Sequence, residues 1–128
     1  MPIHLPNEPD SFLWKIVINR KTKQVEQVKK FEEVGVTERC AANPEYIADR
    51  SPRYGYLMMR GKDEMYDGFV KFDLVEERVV AKVHYGAGRF GGEAFFVPRP
   101  GSEEDEGWLM DIVYDKVRRR RAAMRGPM

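Results

Sequence analysis

The sequence predicts an all-β domain of antiparallel strands. Three observations support this. Short runs of β-branched and aromatic residues recur with period-2 alternation. Polar or glycine-bearing turns separate them at close spacing. Before residue 115 there is neither helical periodicity nor a βαβ alternation. Such a pattern fits a sandwich, a barrel or a propeller.

Residues 1–11 form an extended lead-in, since Pro2, Pro6 and Pro9 punctuate it. Phe12 to Ile18 reads as a strand with Trp14, Ile16 and Ile18 on one face. Asn19-Arg20-Lys21-Thr22-Lys23 is a polar turn, and Gln24 to Lys30 pairs back as a hairpin. Residues 38–53 contain Asn43-Pro44 and Ser51-Pro52 and read as a long loop. Tyr54 to Arg60 is the next strand, followed by a turn opening at Gly61-Lys62-Asp63. Gly68 to Leu74 alternates, placing Val70, Phe72 and Leu74 inward. Glu76-Glu77 marks a turn, and Val79 to Tyr85 is a strand with Val79, Ala81 and Val83 on one side. Gly86, Gly88, Gly91 and Gly92 make a glycine-rich segment. Glu93 to Val97 and Trp108 to Tyr114 are two further strands, separated by the acidic run Glu103-Glu104-Asp105-Glu106. From Lys116 on, arginines dominate without a β pattern, so residues 116–128 read as a short basic helix or a disordered tail.

Composition narrows the function. The chain has 128 residues, enough for one core. The formal net charge of +1 argues against a nucleic-acid partner. A single cysteine, Cys40, excludes an internal disulfide and has no base nearby in sequence to make it a nucleophile. There is no signal-peptide pattern and no apolar run that could span a bilayer, so the cytosol is the default compartment. Peripheral membrane contact through a small patch stays open.

No catalytic constellation stands out. His4 and His84 have no metal-ligand spacing, and His84 reads as an ordinary strand histidine. The GAGRFGGE segment precedes a strand rather than a helix, which argues against a nucleotide site. Glu93 opens a strand and shares a face with Phe95 and Val97. On a buried face its carboxylate needs partners. Either that face is wet, or Arg89 or Arg99 pairs with it. Glu38, in ERCAAN, reads alone as a loop surface residue.

Taken together, HYGAGRFGGEAFFVPRPGSEEDEGWLMDIVYD at 84–115, ERCAAN at 38–43, RYGYL at 53–57 and GFVKFDL at 68–74 resemble the carotenoid cleavage oxygenase family. The resemblance covers residues 12–115 and implies part of a seven-bladed β-propeller. Family members hold Fe2+ with four histidines and use O2 to cleave a conjugated double bond of a carotenoid or apocarotenoid. Glutamates hydrogen-bond to three of those imidazoles. Glu38 and Glu93 match two such positions, although many members have Phe-Pro after the first glutamate. Their implied role is to fix imidazole tautomer and orientation. No residue here matches a ligand: three are expected upstream of residue 1 and the last beyond Asp115. The expectation is an incomplete piece of the enzyme, a truncated or frameshifted product that neither binds iron nor acts alone. The alternative is a non-catalytic β-domain that binds other chains through open strand edges or its basic tail.

Overall fold

The computed structural model describes residues 10–61, 64–116 and 120–127, with side chains up to residue 116 apart from Asp49. Most of the lead-in, His4, and Lys62 and Asp63 of the expected turn lie outside the described residues. Ten strands follow in order: β1 (Trp14–Ile18), β2 (Val25–Lys30), β3 (Thr37–Ala41), β4 (Tyr54–Arg60), β5 (Tyr66–Asp73), β6 (Arg78–His84), β7 (Arg89–Phe90), β8 (Phe95–Pro98), β9 (Gly107–Asp115) and β10 (Arg120–Pro127). The one α-helix among the described residues is α1 (Pro44–Asp49). All named strand pairs are antiparallel. No helix among the described residues is long and apolar enough to cross a membrane.

The strands form three sheets. β1 and β2 make a hairpin, β3-β4-β5-β6 a four-stranded sheet, and β9 carries β10 on one edge with β7 and β8 on the other. The described strands close no propeller. The hairpin turn is built by Asn19, whose Oδ1 accepts the N–H groups of Lys21 and Thr22 at 2.9 and 3.1 Å.

Strand β4 explains how the sheets pack. Tyr56 and Met58 point into one apolar cluster with Phe69, Tyr85, Phe96, Leu109 and Val113. Leu57 and Met59 point into another with Phe31, Val34, Val70 and Phe72. Alternation thus sends successive side chains to opposite faces, and the four-stranded sheet is covered on both. Close backbone approach follows at Gly68, where a Cβ would collide with the Val83 carbonyl.

Several expectations need correction. The stretch 38–53 is not a long loop: β3 and α1 lie within it. Asn43-Pro44 starts the helix instead of turning the chain, because Asn43 Oδ1 accepts the Glu45 N–H at 3.0 Å and Pro44 takes the first turn. Leu74 is not inward but 45% exposed. Asp73 ends β5 by accepting the Val75 and Glu76 N–H groups, which turns the chain before Leu74 can continue the alternation. Phe69, Lys71 and Asp73 are buried on the other face of β5, since this strand is central and covered on both sides. The basic segment is neither helix nor tail where it is described. Arg120–Pro127 pairs along the whole of β9, from Arg120↔Asp115 to Pro127↔Trp108, and backbone pairing with an open edge needs no alternation of its own.

Candidate functional site

Glu38 lies at a bulge in β3. Glu38 faces Met58 and Cys40 faces Leu57, so Arg39 is the extra residue and takes a left-handed backbone with φ +51°. The Glu38 carboxylate is well supplied with donors. Oε2 accepts from the Tyr66 hydroxyl at 2.8 Å; Oε1 accepts from Arg60 Nη1 at 3.2 Å and from Ser11 Oγ at 3.4 Å. The Tyr66 hydrogen bond is the main cause holding this carboxyl below its ordinary value. Partial desolvation opposes it, and Arg60, Ser11 and Arg39 add to it. Arg60 is itself fixed by Asp10 at 2.5 Å.

Glu93 differs from its expected setting. It precedes β8 rather than opening it, and its side chain is 63% exposed. The face it was expected to share is open at Phe95 and half-buried at Val97. Its partner is neither Arg89, which pairs with Asp115, nor Arg99, but Arg39, at 2.7 Å. The nearby Tyr66 hydroxyl, followed by Glu93, pushes the Arg39 guanidinium pKa up.

Glu38 thus bonds Tyr66, while Glu93 pairs with Arg39, the residue after Glu38 in β3. The loop before Glu93 is anchored twice: the Gly91 N–H donates to the Tyr66 carbonyl at 2.7 Å, and the Gly92 N–H to Asp111 Oδ1 at 2.9 Å. Asp111 also receives the Tyr85 hydroxyl at 2.5 Å. Sequence reasoning missed Arg39, Tyr66, Tyr85 and Asp111. The hairpin register held one usable signal, because β4 and β5 set Arg60 opposite Tyr66.

Other sequence features are structural. The acidic run is a strap: Glu104 Oε1 accepts the N–H groups of Arg53 and Tyr54 at 2.7 and 3.0 Å, and Asp105 pairs with Lys71 at 2.7 Å. Cys40 is exposed on β3, yet partial desolvation of its thiol pushes the pKa up, away from a reactive thiolate. His84 sits exposed at the end of β6. No group of three or more His, Cys, Asp or Glu among the described residues is placed to hold a metal ion. A carboxylate such as Glu38 or Glu93 accepts N–H groups and is not itself an imidazole donor.

Residues 3–124 match the profile of the family described as retinal pigment epithelial membrane protein. The chain is 33% identical over 105 residues to a chloroplastic 9-cis-epoxycarotenoid dioxygenase of Arabidopsis thaliana, covering 81% of this chain and 18% of the relative. It is 33% identical over 119 residues to a carotenoid 9,10(9',10')-cleavage dioxygenase of Pisum sativum, covering 81% and 21%. Cobalt-substituted Synechocystis apocarotenoid oxygenase superposes with a TM-score of 0.79 at 24% identity, covering 93% of this chain and 25% of that one. That likeness carries the fold. The chain spans between 12% and 21% of the length of the curated relatives it matches.

Proposed function

Because the chain belongs to the carotenoid cleavage oxygenase family, we propose that it is a segment of an iron(II) dioxygenase that cleaves a conjugated double bond of a carotenoid or apocarotenoid. In this reading β1 to β9 contribute to a seven-bladed propeller whose remaining strands come from other sequence. Iron, when bound in the complete enzyme, supplies dioxygen binding, and O2 with the polyene gives two carbonyl products. The four imidazoles also come from elsewhere, so the isolated chain is inactive.

The role left to this chain is to orient those imidazoles. The observation that carries it is the pairing of Glu93. Arg39 holds one of its oxygens, and among the described residues the other accepts no hydrogen bond. Such a carboxylate is paired on one side and exposed on the other, where it can accept an N–H. Accepting the proton-bearing ring nitrogen of a ligand histidine leaves the other nitrogen to face the metal and raises its basicity. Glu38 plays the same part more weakly, because Tyr66 and Arg60 already occupy both its oxygens.

The test has two arms. Residues 12–115 replace the matching stretch of Synechocystis apocarotenoid oxygenase, and iron content and apocarotenoid cleavage are measured. The expected result is stoichiometric iron and cleavage in the chimera. The isolated chain is reconstituted anaerobically with ferrous iron and is expected to hold none. One-to-one iron in the isolated chain would overturn the ligand argument.

Pairing with other chains through a strand edge is the competing reading. β6 is an outer strand of its sheet, but Arg78 and Lys82 are exposed along it. Charges of this kind discourage edge pairing, so the edge favours the first reading.

A further inference from the structure

Strands β7 and β8 pair with the same strand, β9, yet they are out of step. Phe90 faces Tyr114, and Phe95 faces Met110. Between these pairs lie four residues on one side, Gly91 to Ala94, and three on the other, Asp111 to Val113. The stretch 89–98 is therefore one strand broken by a bulge of one extra residue. Glu93 lies in that bulge, and its partner Arg39 is the extra residue of the bulge in β3. Their ion pair joins two irregular points of two sheets. Had the Phe90↔Tyr114 register run on, Glu93 would fall opposite Asp111, carboxylate against carboxylate. The shift removes that opposition.

A bulge forfeits ladder hydrogen bonds, and its amides need other acceptors. Asp111 supplies one. It sits on β9 between Leu109 and Val113 of the apolar cluster, where alternation calls for an apolar side chain, and it is 5% exposed. Its Oδ1 accepts the Gly92 N–H at 2.9 Å, where a regular ladder would offer a main-chain carbonyl. Its Oδ2 accepts the Tyr85 hydroxyl at 2.5 Å, which keeps the carboxylate from turning away. Gly91 passes directly over that oxygen, since a Cβ there would collide with Oδ2. The Gly91 N–H goes to the Tyr66 carbonyl at 2.7 Å. Both glycine amides thus bond away from the β9 main chain, and the Asp111 side chain stands in for it.

We propose that Asp111 is a positioning residue that sets the register of the Gly91 to Ala94 bulge and so carries Glu93 to Arg39. The proposal rests on the reading that Glu93 accepts an imidazole N–H, because an acceptor for a metal ligand needs a fixed backbone. The residue before Glu93 is the one that Asp111 holds. Satisfying Tyr85 alone would not require a carboxylate, since phenylalanine at 85 and leucine at 111 would leave no polar group to pair.

The 128-residue chain is compared as Tyr85→Phe and as the double variant Tyr85→Phe with Asp111→Leu, by glutamate carboxyl-carbon NMR and amide exchange. In the single variant the Gly92 amide is expected to stay protected and the Glu93 signal to keep its place at neutral pH. In the double variant Gly92 exchange is expected to speed up about tenfold, and the Glu93 signal to shift as it leaves Arg39. Glu26 and Glu103, which touch neither group, should stay where they are. Three results overturn the proposal: an unmoved Glu93 in the double variant, a Glu93 already displaced in the single variant, or movement of Glu26 and Glu103 as well. If the double variant does not fold, Gly91→Ala replaces it, keeping Asp111 and Tyr85 but lifting the chain off them. Gly92 exchange and the Glu93 signal must then change together, and either one alone overturns the assignment. The imidazole role is read separately, from iron occupancy of the chimera carrying Glu93→Gln. Unchanged occupancy sinks that role and leaves the hold of Asp111 on the bulge standing.

Discussion

Tyr85 donates its hydroxyl hydrogen to Asp111 across 2.5 Å, with the two residues only 3% and 5% exposed. A buried carboxylate is tolerated only with donors around it. Asp111 has a second one in the Gly92 N–H at 2.9 Å. Asp111→Ala removes the acceptor from both and leaves a phenol and an amide unpaired in the core. We expect a loss of about 3 kcal/mol in urea unfolding. A loss below about 1 kcal/mol would mean that the loop relaxes to find water.

The same tyrosine predicts a loss of stability in alkali. Burial, and then Asp111, pushes the Tyr85 phenol pKa well up; burial, and then Asp105 and Glu104, does the same for Tyr56. In the unfolded chain both titrate near pH 10. Above that pH the unfolded state gives up protons that the folded state keeps, so stability is whole below about pH 10 and falls as pH rises. The slope for two phenols approaches about 2.7 kcal/mol per pH unit. Urea midpoints taken from about pH 9 to about pH 11.5 should show it, and Tyr85→Phe should remove half of the slope. A flat profile would show that neither phenol is closed off from solvent.

Gly91 sits against this pair. A Cβ there would collide with Asp111 Oδ2 and with the Tyr85 ring, two groups already bonded to each other. Neither can retreat without breaking that bond. Gly91→Ala is expected to cost about 2 kcal/mol and to displace Glu93 from Arg39. Retained stability, within about 0.5 kcal/mol, would show that the loop shifts freely and that Glu93 is not held from this side.

How far the sequence alone reached can be seen residue by residue. Strand β4 was legible end to end, because Tyr54 to Met59 carries no charge and Arg60 and a glycine follow. Asn43-Pro44 was misread, since the same pair can turn a chain or start a helix, and α1 has too few residues to show a period. The strand at Arg120–Pro127 was illegible because its pairing comes from β9. Glu38 and Glu93 were picked out by resemblance. Arg39 and Tyr66 were not, because Arg39 is placed by a bulge and Tyr66 by a bridge to Gly91, neither of which local pattern records.

Asp73 gives the chain an acid limit. Its side chain is 1% exposed; Oδ2 accepts from Arg53 Nε and Nη2 at 3.0 and 2.8 Å, and Oδ1 from the N–H groups of Val75 and Glu76 at 2.9 Å. The Arg53 bond is the main cause bringing the carboxyl down to about 2, against the opposing effect of desolvation. An unfolded aspartate titrates near 3.9. The folded value is depressed, so the stabilisation is present above about pH 3.9 and is lost as pH falls through about 2. It amounts to about 2 kcal/mol at neutral pH, discounted because Arg53 is partly exposed. Asp73→Asn should lose that amount at pH 7 and flatten the unfolding midpoint between about pH 2 and about pH 5. An unchanged acid slope would place the protonating group elsewhere.

Two ion pairs tie the β1–β2 hairpin to the rest of the chain. Lys15 from β1 and Lys29 from β2 converge on the two oxygens of Glu77, in the turn between β5 and β6. Lys15 first, then Lys29, keeps the Glu77 carboxyl below its ordinary value. The apolar face of the hairpin offers less: Ile16, Ile18 and Val28 are 40%, 56% and 43% exposed. Exposed ion pairs weaken with salt, and this one also weakens as pH falls, being present above the unfolded glutamate value near 4.3. Glu77→Gln is therefore expected to speed amide exchange in β1 and β2 while β4 and β5 keep their protection. Wild-type chain in about 0.5 M salt should resemble the variant at low salt. Unchanged exchange in the hairpin would mean that Phe31 and Leu13 hold it without Glu77. Faster exchange in every strand would make Glu77 a support of the whole core rather than a latch on one hairpin.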